Sequence, residues 1–317
     1  MLLMIMILII STDFLEVSTE MVIDWIEAKG HSWKRVNGES FQSIEFINLD
    51  TSPTDLLPEK VSVCWVRRLH SFRHPCFNTP SPSTNQHLKS EAVKLIYYFI
   101  HEIKLQNIHV LWPPGTVNKL NVLATAKRLG IKIPATAIVS SKEALKQFIK
   151  NFGPAICKPI SESDTLTIDG KPHAIYTQEV DVDLAGETFF PTLVQNKVDK
   201  EFEIRVFYLD GEMYSMAIFS QQHKATSLDY RNYQHEKPNR WVPFRLPEGI
   251  SQQIQKLMES LGLVMGSIDL IRSTEKEYVF LEVNPSGQFE MVSLPCNYHL
   301  EEKIANYLIR KKNKNGE

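Results

Sequence analysis

Residues 280–287, FLEVNPSG, end an apolar run with two oxygen-bearing side chains two positions apart. Side chains in a strand alternate between the faces of the sheet, so Glu282 and Asn284 are predicted to share one face. Leu281 and Val283 are then expected to point into the opposite layer. The Pro-Ser-Gly that follows cannot continue the ladder and turns the chain. The stretch therefore predicts a strand that ends in a polar site.

The segment before this strand completes a predicted β-hairpin. GSIDLIRS, residues 266–273, leads into the polar turn STEK, residues 273–276, and after Glu277 comes YVFLEVN. A tip of two or four residues sets Asp269 opposite or diagonal to Glu282, on the same face as Asn284. Two carboxylates and an amide oxygen on one face favour a bound cation, and Mg²⁺ prefers such oxygen ligands. The alternative interpretation is a solvated hairpin face.

Three cationic residues are candidates for the phosphate side of such a site. Lys158 lies in AICKP, one residue before the proline, at the end of an apolar strand, and its ammonium is expected to lie at that strand end. Lys119 begins an amphipathic helix, where a cation opposes the helix dipole unless an anion binds there. Arg205 lies inside the strand EFEIRVF, and its guanidinium suits bidentate contact with phosphate or carboxylate. The alternatives are surface lysines and a structural ion pair.

Composition bounds the class of protein. The chain has 317 residues, 43% of them hydrophobic and 23% charged, which is enough for about two or three core units. A net charge of -2 gives no overall basic field, so neither nucleic acid nor a membrane is expected as a partner.

Cysteine usage and the N-terminus both favour a cytoplasmic protein. The cysteines are far apart and form neither a zinc motif nor a disulfide framework: Cys64, Cys76, Cys157 and Cys296. The opening MLLMIMILII lacks a basic start and a cleavage site, so it is interpreted as a buried first strand and not as a signal peptide.

Local patterns predict an α/β arrangement for the N-terminal part. Ser18 or Thr19 is the predicted cap of the first helix. Residues 72–86 are rich in Pro, Ser and Asn and are predicted to be a loop, followed by a helix over residues 91–104.

Further along, residues 118–129 form a predicted amphipathic helix with Leu120, Leu123 and Ala124 on one side. Ser140 is the predicted cap of the next helix, through a capping box with Glu143. The predictions that follow are a polar loop at residues 161–171, a hairpin turn at Asp210 and Gly211, and a frayed tail from residue 310.

Several motifs occur in one order: NKL, GIKIP, a strand ending KP, LVQNKV, EIRVFYLDGE, IDL and FLEVNPSGQF. This order resembles the ATP-grasp superfamily from residue 118 to the C-terminus. With ILIISTD, STEMVIDWIEAKG, CWVRR, FSQ and WVPFRLP, nearly the whole chain is similar to the graspetide group of ATP-grasp peptide maturases, which includes the microviridin and grasp-with-spasm enzymes.

The resemblance implies a fold of class α/β (α+β), the ATP-grasp fold, with ATP bound between its last two subdomains. The implied boundaries are an N-terminal α/β subdomain at 1–115, a central subdomain at 116–192, a C-terminal subdomain at 193–312 and a tail at 313–317.

The resemblance also implies roles for the residues that bind nucleotide. Lys119 and Lys158 would contact the ATP phosphates. Gln195, Asn196 and Val198 would form the hinge that receives adenine, partly through backbone groups. Many ATP-grasp hinges carry a glutamate at the position of Gln195.

The remaining implied roles concern the reacting groups. Glu203 would lie near the ribose and nucleotide rim, and Arg205, with Lys158, would act on the transferred phosphoryl group or acyl phosphate. Mg²⁺ would be held by Asp269, Glu282 and Asn284.

The implied activity is ATP-dependent macrocyclisation of a precursor peptide. An Asp or Glu side chain is activated as an acyl phosphate and attacked by a Thr or Ser hydroxyl or a Lys amine of the same peptide. The peptide partner has a leader and a core segment, and residues 72–86 and 231–245 are the candidate leader surfaces, the latter through Tyr233, Arg240, Trp241 and Phe244. A folded connection packing on the core is the alternative for these segments.

Two other functions compete with this hypothesis. One is a ligase that adds an amino acid to a protein or a small carboxylate. The other is a nucleotide-binding regulatory protein without turnover, which two lysines and an intact metal-ligand set disfavour. A homodimer is compatible with the sequence.

Overall fold

The computed structural model describes residues 6–12, 16–37, 61–67, 79–113, 117–160, 165–168, 171–174, 177–221 and 239–314. The chain divides into two compact units. The first consists of Met1–Trp112, Gln288–Ser293 and His299–Glu317, and the second of Pro113–Gly287 and Leu294–Tyr298.

The first unit contains a parallel sheet with the strand order β2-β1-β3-β4. Its elements are β1 (Met6–Ser11), α1 (Val17–Ala28), β2 (Trp33–Asn37), β3 (Val61–Val66), α2 (Pro82–Leu105) and β4 (His109–Leu111). Parallel strands joined through helices are typical of an α/β layer, as the sequence predicts.

Strand β1 is central in this sheet and buried throughout. Leu8 and Ile10 pack with residues of β3 and with one apolar side of α2, which presents Ile96, Ile100 and Ile103. The prediction of a buried first strand is confirmed from Met6 onward, and residues 1–5 lie outside the described residues.

The start of α1 differs from the prediction. Glu16 is the residue before the helix, whereas Ser18 and Thr19 lie inside its first turn. Both hydroxyls donate to Glu16 Oε1 at 2.8 Å. Arg67 donates to the same oxygen from Nε at 2.7 Å, and both charged side chains are 1% exposed. A buried ion pair therefore anchors this helix start.

Helix α2 begins earlier than predicted. Ser81 is its N-cap, with its hydroxyl accepting from the Thr84 amide, and Pro82 occupies the first helical position. Proline is well suited there because that amide has no intrahelical partner. Residues 82–86 are therefore helical and not a loop, while residues 72–78 lie outside the described residues.

The second unit contains a four-stranded antiparallel sheet with the order β5-β10-β6-β9. Its elements are α3 (Lys119–Arg128), β5 (Thr136–Ser141), α4 (Lys142–Phe152), β6 (Ala155–Lys158), β7 (Thr165–Ile168), β8 (Lys171–Ala174), β9 (Gln178–Glu179) and β10 (Thr188–Asn196). Leu145 and Phe148 of α4 pack on this sheet.

Two predictions in this part are corrected. Ser141, and not Ser140, caps α4, because the Ser141 hydroxyl accepts from the Ala144 amide. Within the segment predicted as a polar loop at residues 161–171, residues 165–168 form β7, which pairs with β8 from residue 171 onward. Residues 161–164 and 169–170 lie outside the described residues.

The second unit also contains a five-stranded antiparallel sheet with the order β13-β12-β11-β14-β15. Its strands and helix are β11 (Lys200–Leu209), β12 (Glu212–Phe219), β13 (Arg240–Phe244), α5 (Glu248–Ser260), β14 (Met265–Ser273) and β15 (Tyr278–Asn284). Asp210 and Gly211, with φ of 49° and 93°, form the tight turn between β11 and β12, which confirms that prediction.

Helices α3 and α5 cover one face of the five-stranded sheet. The buried residues of α3 are Val122, Leu123 and Ala126, and they join Leu257 of α5 in one core cluster. Ala124 is exposed, so the predicted apolar side of this helix is displaced toward Val122 and Ala126. With this face in the core, the opposite face of the sheet is left for a site.

The C-terminal part forms helices α6 (Glu290–Cys296) and α7 (Leu300–Lys314). The predicted frayed tail is corrected for residues 310–314, which are helical. No described helix has the length and apolar character that crossing a membrane demands.

Candidate active site

The hairpin β14–β15 places Asp269 directly opposite Glu282. The length of the hairpin tip differs from the prediction. The tip holds three residues, between Ser273 and Glu277, whereas two or four were predicted. An odd tip alone would put Leu281 opposite Asp269. A bulge between the Asp269 and Leu270 pairs shifts the register by one residue and restores the carboxylate pair.

The bulge also changes which side chains enter the core. Phe280 and Val283 are both buried in the core cluster, although strict alternation would send them to opposite faces. Leu281 is only half-buried, so the prediction that it points into the core layer is wrong. The extra residue leaves Glu282 on the same face of the five-stranded sheet as Asp269. This face, which carries Asp269, Glu282 and Asn284, is called the polar face.

The turn after β15 fixes the position of Asn284. Its Oδ1 accepts from the Ser286 amide at 3.0 Å, and its carbonyl oxygen accepts from the Gly287 amide at 3.1 Å. A Cβ atom on Gly287 would lie 2.4 Å from both Cβ and Oγ of Ser267. Ser267 is the pairing partner of Asn284, so only glycine lets the turn close on this strand end.

Gly287→Ala should therefore destabilise the protein by about 1–3 kcal/mol, because the new methyl group forces the turn away from Ser267. Thermal unfolding measures this. Gly249→Ala is the matched control, since its Cβ would meet nothing within 4 Å, and it should keep the melting temperature or raise it slightly because alanine favours a helix. Equal melting temperatures for both variants would contradict the close approach at Gly287.

Arg205 is the cation closest to this carboxylate pair. It lies opposite Asp269 in the β11–β14 ladder, and its Nη1 donates to Asp269 Oδ2 at 2.5 Å. The two side chains are 9% and 16% exposed. A guanidinium held between strands is a fixed positive charge on the polar face.

Lys119 reaches the same face from the start of α3. Asn118 caps the helix by accepting from the Asn121 amide. The Lys119 ammonium donates to the Pro159 carbonyl oxygen at 3.0 Å and lies 3.6 Å from Glu282 Oε2. It therefore connects the carboxylate pair to the segment that follows Lys158.

Lys158 ends β6 and is half-buried, as its position before a proline predicts. It pairs with Leu193 of β10 in the four-stranded sheet. Because Pro159 follows it and is held by Lys119, the structure brings the segments of both predicted phosphate lysines together.

The predicted hinge residues lie at the end of β10 and just beyond it. Gln195 is 1% exposed; its Nε2 donates to Thr136 Oγ1 at 3.0 Å, and its buried Oε1 accepts no hydrogen bond from the described residues. Asn196 is bonded to Ala135 in both directions, through its amide at 3.0 Å and its Oδ1 at 2.7 Å. Val198 is half-buried. The Asn196 amide is thus already used within the protein.

Glu203 is more enclosed than a residue at a nucleotide rim is expected to be. Its Oε1 accepts from Lys200 Nζ at 2.5 Å and from Ser220 Oγ at 2.8 Å. Burial raises the pKa of this carboxyl, while Lys200 and Ser220 oppose the rise and Asp269 adds to it. Lys200 and Ser220 were not predicted. Strict alternation sends residues 200 and 203 to opposite faces of a strand, and the contact occurs beside a register shift between Lys200 and Phe202.

The donor set fits Mg²⁺. Two carboxylates on one face with an amide oxygen at the adjoining strand end are the hard oxygen ligands that this ion takes, with phosphate oxygens completing its shell. No group of three His, Cys, Asp or Glu suited to a metal occurs among the described residues, and the third donor here is an asparagine. Asp269, Glu282 and Asn284 are the residues that would hold it.

A face of oxygen donors flanked by cationic side chains suits an enzyme that acts on nucleotide phosphates. The RimK-like ATP-grasp domain matches residues 116–308, more than half of the chain. The chain belongs to the RimK-like ATP-grasp family. It is an ATP-dependent ligase whose cofactors are ATP and Mg²⁺.

Solved structures share this fold over nearly the whole chain. A RiPP-associated ATP-grasp ligase from Chryseobacterium gregarium, in complex with ADP and a leader and core peptide, is 24% identical, with a TM-score of 0.83 and 97% of each chain covered. The macrocyclase MdnC from Microcystis aeruginosa MRC, bound with precursor peptide MdnA, is 26% identical, with a TM-score of 0.79. The match covers 96% of this chain and 99% of MdnC.

A third structure is the ATP-grasp ligase PsnB complexed with minimal precursor, Mg and ADP. It is 14% identical and has a TM-score of 0.76. The match covers 96% of this chain and 97% of the PsnB chain. No curated protein sequence matches the chain.

Proposed function

We propose that the protein is an ATP-dependent macrocyclase of a ribosomally synthesised precursor peptide. It activates Asp or Glu side chains as acyl phosphates. Thr or Ser hydroxyls of the same peptide then form side-chain esters, or Lys amines form amides. We favour esters, because the sequence resembles the microviridin type of peptide maturase.

The extent of the structural match carries this proposal. The RimK-like domain alone spans residues 116–308, and many ligases share it. The likeness to the macrocyclase MdnC covers 96% of the chain, which includes the N-terminal unit outside that domain. The TM-score of 0.79 at 26% identity over this length supports a peptide substrate over a free amino acid.

The polar face supports the chemistry of acyl activation. A carboxylate attacks the γ-phosphorus of ATP and ADP leaves. The hydroxyl or amine then attacks the acyl carbon of the acyl phosphate and loses its proton, and inorganic phosphate leaves. Lys119, Lys158 and Arg205 are proposed to neutralise the phosphate charge. Mg²⁺ held by Asp269, Glu282 and Asn284 would offset charge on the phosphate oxygens.

The nucleotide is proposed to lie between the central and C-terminal subdomains, 116–192 and 193–312. The buried Gln195 Oε1, which accepts no hydrogen bond from the described residues, suits the adenine amino group as a donor. Asn196 and Val198 would complete the hinge through backbone groups, and Glu203 would support the ribose rim, with Lys200 beside it.

The proposed partner is a peptide with leader and core segments in the cytoplasm, where ATP is supplied. Of the leader surface predicted at residues 231–245, the described part is folded onto the protein. Phe244 packs against Phe202 at 5.6 Å, and the Arg240 guanidinium lies 5.5 Å from the Phe219 ring centre. Tyr233 lies outside the described residues. Binding of the leader peptide at residues 231–245 stays a prediction, and so does a homodimer.

The test is the mass of the peptide product. With ATP, Mg²⁺ and the peptide encoded beside its gene, the protein should lower the peptide mass by one water for each link formed. A ligase that adds an amino acid would raise the mass, and a regulatory protein would leave it unchanged. Mild alkali should restore the water to esters and leave amides intact.

Lys158→Met should abolish the mass loss while the melting temperature is kept, because this ammonium is proposed to serve phosphate and not the core. Lys146→Met, on the exposed side of α4, is the matched lysine control and should keep full activity. Equal loss of activity in both variants would count against a specific role for Lys158.

A further inference from the structure

Both acidic metal-ligand candidates already face a cation of the protein itself. Arg205 lies 2.5 Å from Asp269, and the Lys119 ammonium lies 3.6 Å from Glu282. Each of these carboxylates thus has a positive side chain beside it. A divalent ion that enters between the carboxylates meets the repulsion of both cations, which opposes its binding.

The two cations differ in how easily they can leave. Arg205 is 9% exposed and is fixed by the ladder register opposite Asp269. Lys119 stands at the first position of α3 on a flexible stem, and its distance to Glu282 is longer than a hydrogen bond. Its hydrogen bond goes instead to the Pro159 carbonyl oxygen, beside the phosphate lysine Lys158.

We propose that Lys119 is an exchangeable counter-ion for Glu282. Without nucleotide, its ammonium holds the place beside this carboxylate and competes with the divalent ion. When nucleotide phosphates arrive, the ammonium moves to them and releases Glu282 to the metal. The metal is therefore bound together with the nucleotide and only weakly before it. This inference rests on the proposed metal ligands and is independent of the peptide substrate.

Position on the helix supports this role. A lysine at the start of a helix opposes the helix dipole, and here a carboxylate offsets that cost until an anion does so. The pair is 14% and 30% exposed, which leaves Lys119 partly accessible to an incoming phosphate. The same movement would release the Pro159 carbonyl and loosen the segment after β6.

The experiment is a calorimetric titration of the protein with Mn²⁺, as a probe for Mg²⁺, with and without saturating ADP. The wild-type protein should bind Mn²⁺ more weakly without ADP. Lys119→Met should bind Mn²⁺ about five- to tenfold more tightly than the wild type in the absence of ADP, because the competing charge is gone. The affinity of Lys119→Met for ADP should fall, so ADP should increase the Mn²⁺ affinity of this variant less than it does that of the wild type.

Three further variants make the outcome decisive. Lys119→Arg keeps the charge and should match the wild type, as should Lys127→Met, which removes an exposed lysine from the same helix. Lys119→Gln also removes the charge and should show the same tighter Mn²⁺ binding, so it replaces Lys119→Met if that variant folds poorly. Unchanged or weaker Mn²⁺ binding in the charge-removing variants would overturn the proposal. A gain that persists in Lys119→Met combined with Glu282→Gln would also overturn it, since the metal would then bind elsewhere.

Discussion

Glu282→Gln and Asp269→Asn should each lower ATP consumption by at least about 100-fold, because each removes a charged ligand from the metal site. The amide replacements keep the size of the side chain, and the two carboxylates are 30% and 16% exposed. The melting temperature should therefore change by only a few degrees. Asn284→Ala should be milder in activity, since it removes a neutral ligand.

The matched control is Glu277→Gln, in the same hairpin. Glu277 pairs with Lys132 at the surface, and its side chain is 41% exposed. Such a pair is worth about 0–1 kcal/mol, so activity and stability should both be kept. Near-normal turnover by Glu282→Gln or Asp269→Asn would exclude the proposed metal ligands.

Arg67→Met should have the largest effect on stability. Arg67 and Glu16 are both 1% exposed, and removing the guanidinium leaves the Glu16 carboxylate buried without its counter-charge. The expected cost is about 3–5 kcal/mol in the free energy of unfolding. Denaturant unfolding, followed by a probe of the first unit such as Trp65 fluorescence, measures it.

Two comparisons separate charge burial from a general loss of packing. Lys29→Met breaks the more exposed pair with Glu302 and should leave the free energy of unfolding nearly unchanged, because water screens such a pair. Glu16→Gln combined with Arg67→Met should recover part of the loss, because the buried charge is then absent. A double variant as unstable as the sum of the single ones would mean that the two residues act independently.

The polar face could be predicted from the sequence in part because Glu282 and Asn284 are two positions apart in a strand and so share a face. Asp269 and Glu282 do pair, and Arg205 joins them from the neighbouring strand. The predicted hairpin tip was wrong, although the predicted pairing was right. A three-residue tip shifts the strand register by one residue, and a bulge near Leu281 shifts it by one residue more, so the two shifts cancel. Bulges depend on packing across the sheet and leave no local sequence signal.

Helix starts were predicted less well, because several residues in a row can act as caps. Ser140 and Ser141 are chemically equivalent, and the strand pairing of Ser141 with Thr188 decides between them. At α1, the hydroxyls of Ser18 and Thr19 serve the buried Glu16, a role that depends on Arg67 about fifty residues later. Contacts this distant in sequence cannot be inferred from a local pattern.

The proposed function requires that a peptide carboxylate is activated as an acyl phosphate before the ring closes. The direct measurement uses a precursor peptide whose Asp and Glu side-chain carboxylates carry ¹⁸O at both oxygens. Attack on the γ-phosphorus makes one of these oxygens the bridge to phosphate, and closure leaves it in the phosphate. We expect ADP and one ¹⁸O in inorganic phosphate for each link formed. Label in AMP, or unlabelled phosphate released while links form, would rule out the acyl phosphate.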